Sequence, residues 1–268
     1  MNAAWEIRQH VVELLLGAYR DHVPIDPVVT LAADLDIEDA YAIQQAQVAT
    51  WTAAGDTVRG HKVGLTSAAI QRQLGVDQPD FGHLTASMFY LEHQPIPVDR
   101  FLQPRVEPEI AFVLARPLHG PGVTVADAVR AVDFVVPALE IIDSRIRDWD
   151  ITIVDTIADN ASSGGLVLGH RPRRLTDVDL TLAGAALHRN GEVVGTGAGG
   201  AILGSPLNSL VWLANTLSRF GAWLAEGDVI IPGAMTAAVP VAAGDTVVCS
   251  VAGLGRVTAV FAGAGSPG

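Results

Sequence analysis

The stretch Arg105-Val-Glu-Pro-Glu-Ile-Ala-Phe-Val-Leu114 alternates in character. Successive side chains of an extended chain point to opposite faces, so Val106, Pro108, Ile110, Phe112 and Leu114 share one side and Glu107, Glu109, Ala111 and Val113 the other. The glutamate face runs on into Ala111 and Val113, which turns it toward protein, where an unpaired carboxylate is costly and needs a cation. A second apolar run, Phe134-Val-Val-Pro-Ala-Leu-Glu-Ile-Ile-Asp143, reads as another buried strand with a charge inside it, Glu140. A neighbouring strand would bring that carboxylate to the same point. Three oxygen donors with no thiolate and no evident imidazole describe a hard-cation site for Mg²⁺ or Mn²⁺. Spacing alone also fits a solvated face, so the rest of the chain has to decide.

With 268 residues, 49% hydrophobic and 17% charged, the chain has the composition of a packed globular protein. A formal net charge of −12 argues against a nucleic-acid groove or an anionic membrane surface as partner. No apolar run reaches spanning length, and the N-terminal stretch lacks a basic region followed by an apolar core, so a cytoplasmic protein is expected. Cys249 is the single cysteine and lies in a strand-like Thr246-Val-Val-Cys-Ser-Val251, which leaves no intrachain disulfide and no cysteine zinc site. Of 17 basic residues 16 are arginine, and the one lysine is Lys62. An ammonium can shift its pKa where a guanidinium cannot, although a lone lysine is equally what an unselected surface position would leave.

Residues from Ala3 to about Tyr19 fit an amphipathic helix with Trp5, Ile7, Val11, Leu14 and Leu15 near one stripe, ended by Pro24 and Pro27. Asp36 with Asp39 opens a second helix, carrying Ile37, Ala40, Tyr41, Val48 and Trp51 and stopping at Gly55. Residues 1–57 therefore form a small N-terminal helical region and 58–268 the main domain, the two folding as one unit. Val58–Gly64 is strand-like, Ser67 caps a short helix closed by Gly75, and residues 75–84 read as a Gly/Pro-rich loop containing Asp80. Thr124 with Asp127 caps a helix that leads into the Glu140 strand. Asp155, Asp159, Asn160, Ser162 and Ser163 lie crowded between apolar segments, so these groups satisfy one another or line a cavity. A hairpin turns at Asn190-Gly191, Pro206 starts a helix that Gly221 ends, and short strands follow from Asp228.

Several motifs are set aside. Gly195-Thr-Gly-Ala-Gly-Gly200 matches the dinucleotide fingerprint as a string, but it follows a hairpin strand and no acidic residue lies near position 220, so it reads as a glycine-rich turn. There is no Walker lysine, no Gly-x-Ser-x-Gly elbow and no His-x-x-x-His.

Gly60-His-Lys-Val-Gly-Leu-Thr66, Leu74-Gly-Val-Asp-Gln-Pro-Asp-Phe-Gly82, the Glu-x-Glu strand, Leu139-Glu-Ile-Ile-Asp-Ser-Arg-Ile-Arg-Asp-Trp149 and Asp155-Thr-Ile-Ala-Asp-Asn-Ala-Ser162 together resemble the 2-keto-4-pentenoate (2-hydroxypenta-2,4-dienoate) hydratases of the fumarylacetoacetate hydrolase superfamily. The likeness runs in order over nearly the whole chain. It implies an α+β fold, a mixed β-roll with a small N-terminal helical region. It also implies metal ligands at Glu107, Glu109 and Glu140, proton transfer by Lys62 with Asp80 as second candidate, and substrate contacts at Ser162 and Leu65. The implied reaction adds water to 2-hydroxypenta-2,4-dienoate to give 4-hydroxy-2-oxopentanoate in aromatic or steroid meta-cleavage catabolism. An ammonium beside the metal is expected to have a lowered pKa. The 4-oxalocrotonate decarboxylases share the lysine, the triad and the Asp-Asn-Ala-Ser segment and are the alternative. A C–C hydrolase would need a water-activating His/Glu pair, and no His-x-x-Glu occurs between residues 20 and 107. The resemblance further implies a homo-oligomer, a pentamer or decamer, that can associate with a decarboxylase. A catalytically silent supporting subunit would predict a degraded site, whereas Lys62 and all three glutamates are present.

Overall fold

The structure, a computed structural model, describes residues 3–263. Seven helices are α1 (Ala3–Asp21), α2 (Val28–Leu31), α3 (Ile37–Ala53), α4 (Ala68–Leu74), α5 (Val125–Ala131), α6 (Ile153–Ala158) and α7 (Pro206–Leu217). The strands are β1 (Val58–Gly64), β2 (Asp80–Thr85), β3 (Phe89–Tyr90), β4 (Pro95–Pro97), β5 (Arg105–Leu114), β6 (Val132–Ile142), β7 (Ser163–Leu168), β8 (Gly184–Arg189), β9 (Glu192–Ala198), β10 (Val229–Ile231), β11 (Val239–Pro240), β12 (Thr246–Val251) and β13 (Gly255–Ala262). One mixed sheet runs β2-β1-β10-β5-β6-β7-β3, with β11 also on β5, and a second runs β4-β13-β12-β8-β9.

The alternation of β5 is what makes it central. Val106, Ile110, Phe112 and Leu114 enter a core shared with Leu187, Cys249, Val257 and Phe261 of the second sheet and with Val11, Leu15, Tyr41 and Leu210 of the helices. The helical region thus shares its core with the β-roll. On the opposite face Ala111 and Val113 join Val136, Ala138, Leu166 and Ile231 in a smaller cluster, so the glutamate-bearing face does turn into protein. Pro108 removes a donor from this central strand. Its carbonyl accepts from the Met235 N–H at 2.9 Å, on the side where β10 pairs only with Phe112 and Val113 and β11 only with Arg105 and Val106, so no ladder bond is lost there.

Local signals act as expected at most element ends. Asp36/Asp39 and Thr124/Asp127 close reciprocal capping boxes, and Ser67 accepts from the Ile70 N–H. Gly75 and Gly221 end their helices in the left-handed region, and Asn190 (φ 55°) and Gly191 (φ 86°) make the hairpin turn.

Three expectations need correction, and one element was not foreseen. Asp80 is not in a loop: it opens β2 and pairs with Gly64 of β1, because β1 offers a free edge to the run Asp80–Thr85. The segment Gly195–Ala198 is strand rather than turn. Gly197 within it is required by close approach, since a Cβ there would strike the Met235 carbonyl, and at Gly199, just beyond the strand, one would strike the Leu180 carbonyl. Trp5 and Ile7 are exposed (51% and 42%), and the buried stripe of α1 is instead Val11, Val12, Leu15 and Ala18. The short α2 follows Pro27, and its Val29 N–H donates to Asp155 at 3.2 Å, a tertiary anchor invisible in local sequence.

Candidate active site

Antiparallel register sets Glu107 of β5 directly opposite Glu140 of β6, and period two places Glu109 on the same face. One carboxylate oxygen from each of the three lies within 4.8 Å of the others. Glu109 and Glu140 are buried, Glu107 half-buried. Like charges directly opposite on a sheet repel, and burial adds to that. Burial first, then the charge of Glu140, push Glu107 up to about 7. Glu109 is raised well above the usual carboxylate range by burial and by its two neighbours, and Glu140 is raised by burial. Among the described residues only Glu109 finds backbone support, the Gly233 N–H at 2.8 Å. Among the described residues neither oxygen of Glu140 accepts a hydrogen bond.

Lys62 of β1 reaches the same point. Its Nζ lies 3.2 Å from Glu140 Oε1, an ion pair without hydrogen-bond alignment, and both side chains are buried. Burial by itself lowers an ammonium pKa. Here Glu140, Asp80, Glu107 and Glu109 together outweigh it and raise Lys62. Asp80 lies across from Gly64, where an added Cβ would collide with Asp80 Oδ1 and stand 3.5 Å from Lys62 Nζ. Oδ2 accepts from Thr156 Oγ1 at 3.2 Å, while Oδ1 is buried with no hydrogen-bond partner among the described residues. Burial raises the Asp80 pKa, with the charge of Lys62 and the Thr156 hydrogen bond opposing.

Ser162 stands at the start of β7, which pairs Leu166 against Glu140, and its buried Oγ is unpartnered among the described residues. It ends a run of three residues at positive φ, Asn160 (53°), Ala161 (50°) and Ser162 (53°). Left-handed backbone costs a non-glycine residue roughly 1–2 kcal/mol, so the surroundings must hold this turn. Arg145, fully buried, donates from Nε to Asp159, from Nη2 to the Asp159 carbonyl at 2.9 Å and from Nη1 to the Ser163 carbonyl at 3.1 Å, and its guanidinium stacks on Tyr19. The Asn160 side chain pairs with both backbone groups of His83, at 2.8 and 2.9 Å. Of the polar crowd seen in the sequence, Asp159 and Asn160 are satisfied in this way, while the buried Oγ atoms of Ser162 and Ser163 have no partner among the described residues. Leu65, half-buried at φ 55°, directly follows the lysine strand, and its carbonyl accepts from Gln71 Nε2 at 2.8 Å.

Thr156, Gly233 and Gln44 were not foreseen as contributors. Gln44 carried a signal nonetheless, since a glutamine stands in the apolar stripe between Tyr41 and Val48.

The residues fit a hard divalent cation: three oxygen donors converge, two are buried, and one carboxylate, Glu140, accepts no hydrogen bond among the described residues. The sequence profile of the fumarylacetoacetate (FAA) hydrolase C-terminal family matches residues 50–262. This chain belongs to that family. Among similar proteins, the "TodF product hydratase" of Pseudomonas putida is 51% identical over 93% of each chain. The "2-keto-4-pentenoate hydratase 1" of Dechloromonas aromatica is 45% identical over 97% of this chain and 99% of that one. Among solved structures, the 4-oxalocrotonate decarboxylase of Pseudomonas putida G7, complexed with magnesium and adipate, superposes with a TM-score of 0.93 at 36% identity, covering 97% of this chain and 99% of the other. The α+β roll with its small N-terminal helical region is the fold of this family. No described helix is long and apolar enough to cross a membrane.

Proposed function

We propose that the protein is a divalent-metal-dependent hydro-lyase that converts 2-hydroxypenta-2,4-dienoate and water into 4-hydroxy-2-oxopentanoate. The observation that carries this reading is the convergence of Glu107, Glu109 and Glu140 on one point with Lys62 against them, in a chain 45–51% identical over most of its length to proteins named as such hydratases.

In this reading the three glutamates hold Mg²⁺ or Mn²⁺, which when bound supplies Lewis acidity toward negative charge developing at the substrate's 2-oxygen. The chain's own residues move the protons. In the first stage a proton leaves the 2-hydroxyl and one arrives at C5, giving 2-oxopent-3-enoate. In the second a water oxygen bonds to C4 and a proton arrives at C3. Lys62 Nζ, 3.2 Å from Glu140 Oε1, is the donor. Asp80 Oδ1, the oxygen that Thr156 leaves free, is the complementary acceptor. Ser162 and Leu65 contact the substrate and help exclude bulk water.

The second reading is 4-oxalocrotonate decarboxylase, favoured by the structural match at TM-score 0.93. The same triad and lysine would serve loss of CO₂. We further read the protein as a cytoplasmic homo-oligomer, a pentamer or decamer, able to associate with a decarboxylase and serving aromatic or steroid meta-cleavage catabolism. Light scattering at micromolar concentration tests the assembly.

The deciding assay offers freshly generated 2-hydroxypenta-2,4-dienoate and 2-oxohex-3-enedioate separately to metal-free and Mg²⁺-loaded enzyme, with products identified by NMR and CO₂ measured. Mg²⁺-dependent formation of 4-hydroxy-2-oxopentanoate is expected. CO₂ from the diacid without hydration of the dienoate would transfer the assignment to the decarboxylase. Lys62→Met should abolish turnover while leaving Mg²⁺ binding in calorimetry; retained turnover would remove Lys62 from the chemistry.

A further inference from the structure

Gln44 belongs to α3, outside the stretch that matches the family profile. It is fully buried, and every hydrogen-bonding group of its amide is used. Nε2 donates to the Phe81 carbonyl and to the Ile157 carbonyl, each at 2.9 Å, and Oε1 lies 3.1 Å from His83 Nδ1. Two carbonyl partners fix which end is the nitrogen, so His83 carries its proton on Nδ1. The two carbonyls are not arbitrary. Phe81 directly follows Asp80, and Ile157 directly follows Thr156, the residue whose hydroxyl holds Asp80 Oδ2. No backbone hydrogen bond joins β2 to α6 among the described residues. The Asp80–Thr156 contact therefore depends on the distance between a strand and a helix that the Gln44 amide bridges a single residue beyond each partner, with Asn160 joining His83 of β2 to the turn that follows α6.

We propose that Gln44 is a positioning residue for Asp80: it sets the spacing of β2 and α6 so that Thr156 takes Oδ2 and leaves Oδ1 facing Lys62. This rests on the assignment of Asp80 to proton transfer. It gives the N-terminal helical region a part in the site beyond covering the roll. Gln47, one turn further along the same helix and also fully buried, supplies the control. Its Nε2 donates to the Ala158 carbonyl at 2.7 Å and to the Ile43 carbonyl of its own helix at 3.3 Å, so it touches α6 and not β2.

The test compares Gln44→Leu, Gln47→Leu, Thr156→Val and Asp80→Asn in the full-length Mg²⁺-loaded enzyme, measuring kcat, KM, Mg²⁺ affinity and thermal midpoint. A displacement of about 1 Å at a reacting group lowers rate by up to about 100-fold. Gln44→Leu is expected to lose about 10- to 100-fold in kcat, with KM and Mg²⁺ affinity changed less than about threefold. Gln47→Leu should lower the thermal midpoint comparably and keep kcat within about twofold. Thr156→Val, which is nearly isosteric, should reproduce the kcat loss and keeps the question answerable if Gln44→Leu does not fold. Equal kcat losses in the two glutamine variants, or wild-type kcat in Gln44→Leu or Thr156→Val, would overturn the proposal. Wild-type kcat in Asp80→Asn would instead overturn the underlying role of Asp80. An inactive Asp80→Asn beside a fully active Thr156→Val would overturn the positioning alone.

Discussion

Replacing Glu109 by glutamine should stabilise the protein in the absence of metal and remove its stabilisation by metal. Glutamine keeps the shape, and its Oε1 can still accept the Gly233 N–H that Glu109 Oε2 takes at 2.8 Å, so the change isolates the charge. Glu107, held at about 7 against a usual 4.5, measures the cost of crowding the carboxylates. At 1.36 kcal/mol per pH unit that is roughly 3 kcal/mol, shared by the coupled group rather than owned by one residue. The folded pKa values are raised, so the penalty is absent below the ordinary carboxylate range and grows as pH rises through about 7. Removing one of three charges should return about 1–3 kcal/mol at pH 8, or about 2–6 °C in a chain of this size. The assay is thermal unfolding of wild type and Glu109→Gln at pH 5 and 8, in EDTA and in Mg²⁺ titrated past saturation. Wild type should gain about 2.7 kcal/mol at a hundredfold excess over the dissociation constant, and the variant little. A variant less stable than wild type in EDTA at pH 8, or equally stabilised by Mg²⁺, would refute the triad as a cation site that is strained without its ion.

Two further outcomes follow from buried charge elsewhere. Arg145→Met strands the Asp159 carboxylate and frees the left-handed turn, and should cost about 3–5 kcal/mol in urea unfolding; a loss under 1 kcal/mol would show that the turn holds itself. Burial holds His83 down at about 4, so as pH falls the unfolded chain takes up the proton first, and stability is lost progressively from about pH 6.5 toward 4. About 2 kcal/mol should go between pH 6.5 and 5 through His83, and His83→Gln should remove that part of the slope while buried His61, also held low, keeps its own, which urea midpoints across the range would reveal.

What the amino-acid sequence determined by itself was whatever depends on a few adjacent residues. The capping pairs Asp36/Asp39 and Thr124/Asp127, the left-handed stops at Gly75 and Gly221 and the Asn190-Gly191 turn are settled by backbone sterics and bonds spanning three or four positions, so they were readable. The period of two in Arg105–Leu114 likewise put Glu107 and Glu109 on one face, and the scarcity of lysine singled out Lys62. Register was decided elsewhere. That Glu140 stands opposite Glu107, that Asp80 opens a strand against Gly64 and that Gly195–Ala198 is extended all come from pairing between distant segments. Gln44 shows the limit most plainly: its place in the apolar stripe of α3 marked an exception. Only the packing of α3 across β2 and α6 brought its amide within reach of two particular carbonyls, because a hydrogen bond between segments 37 and 113 residues apart has no trace in local propensity.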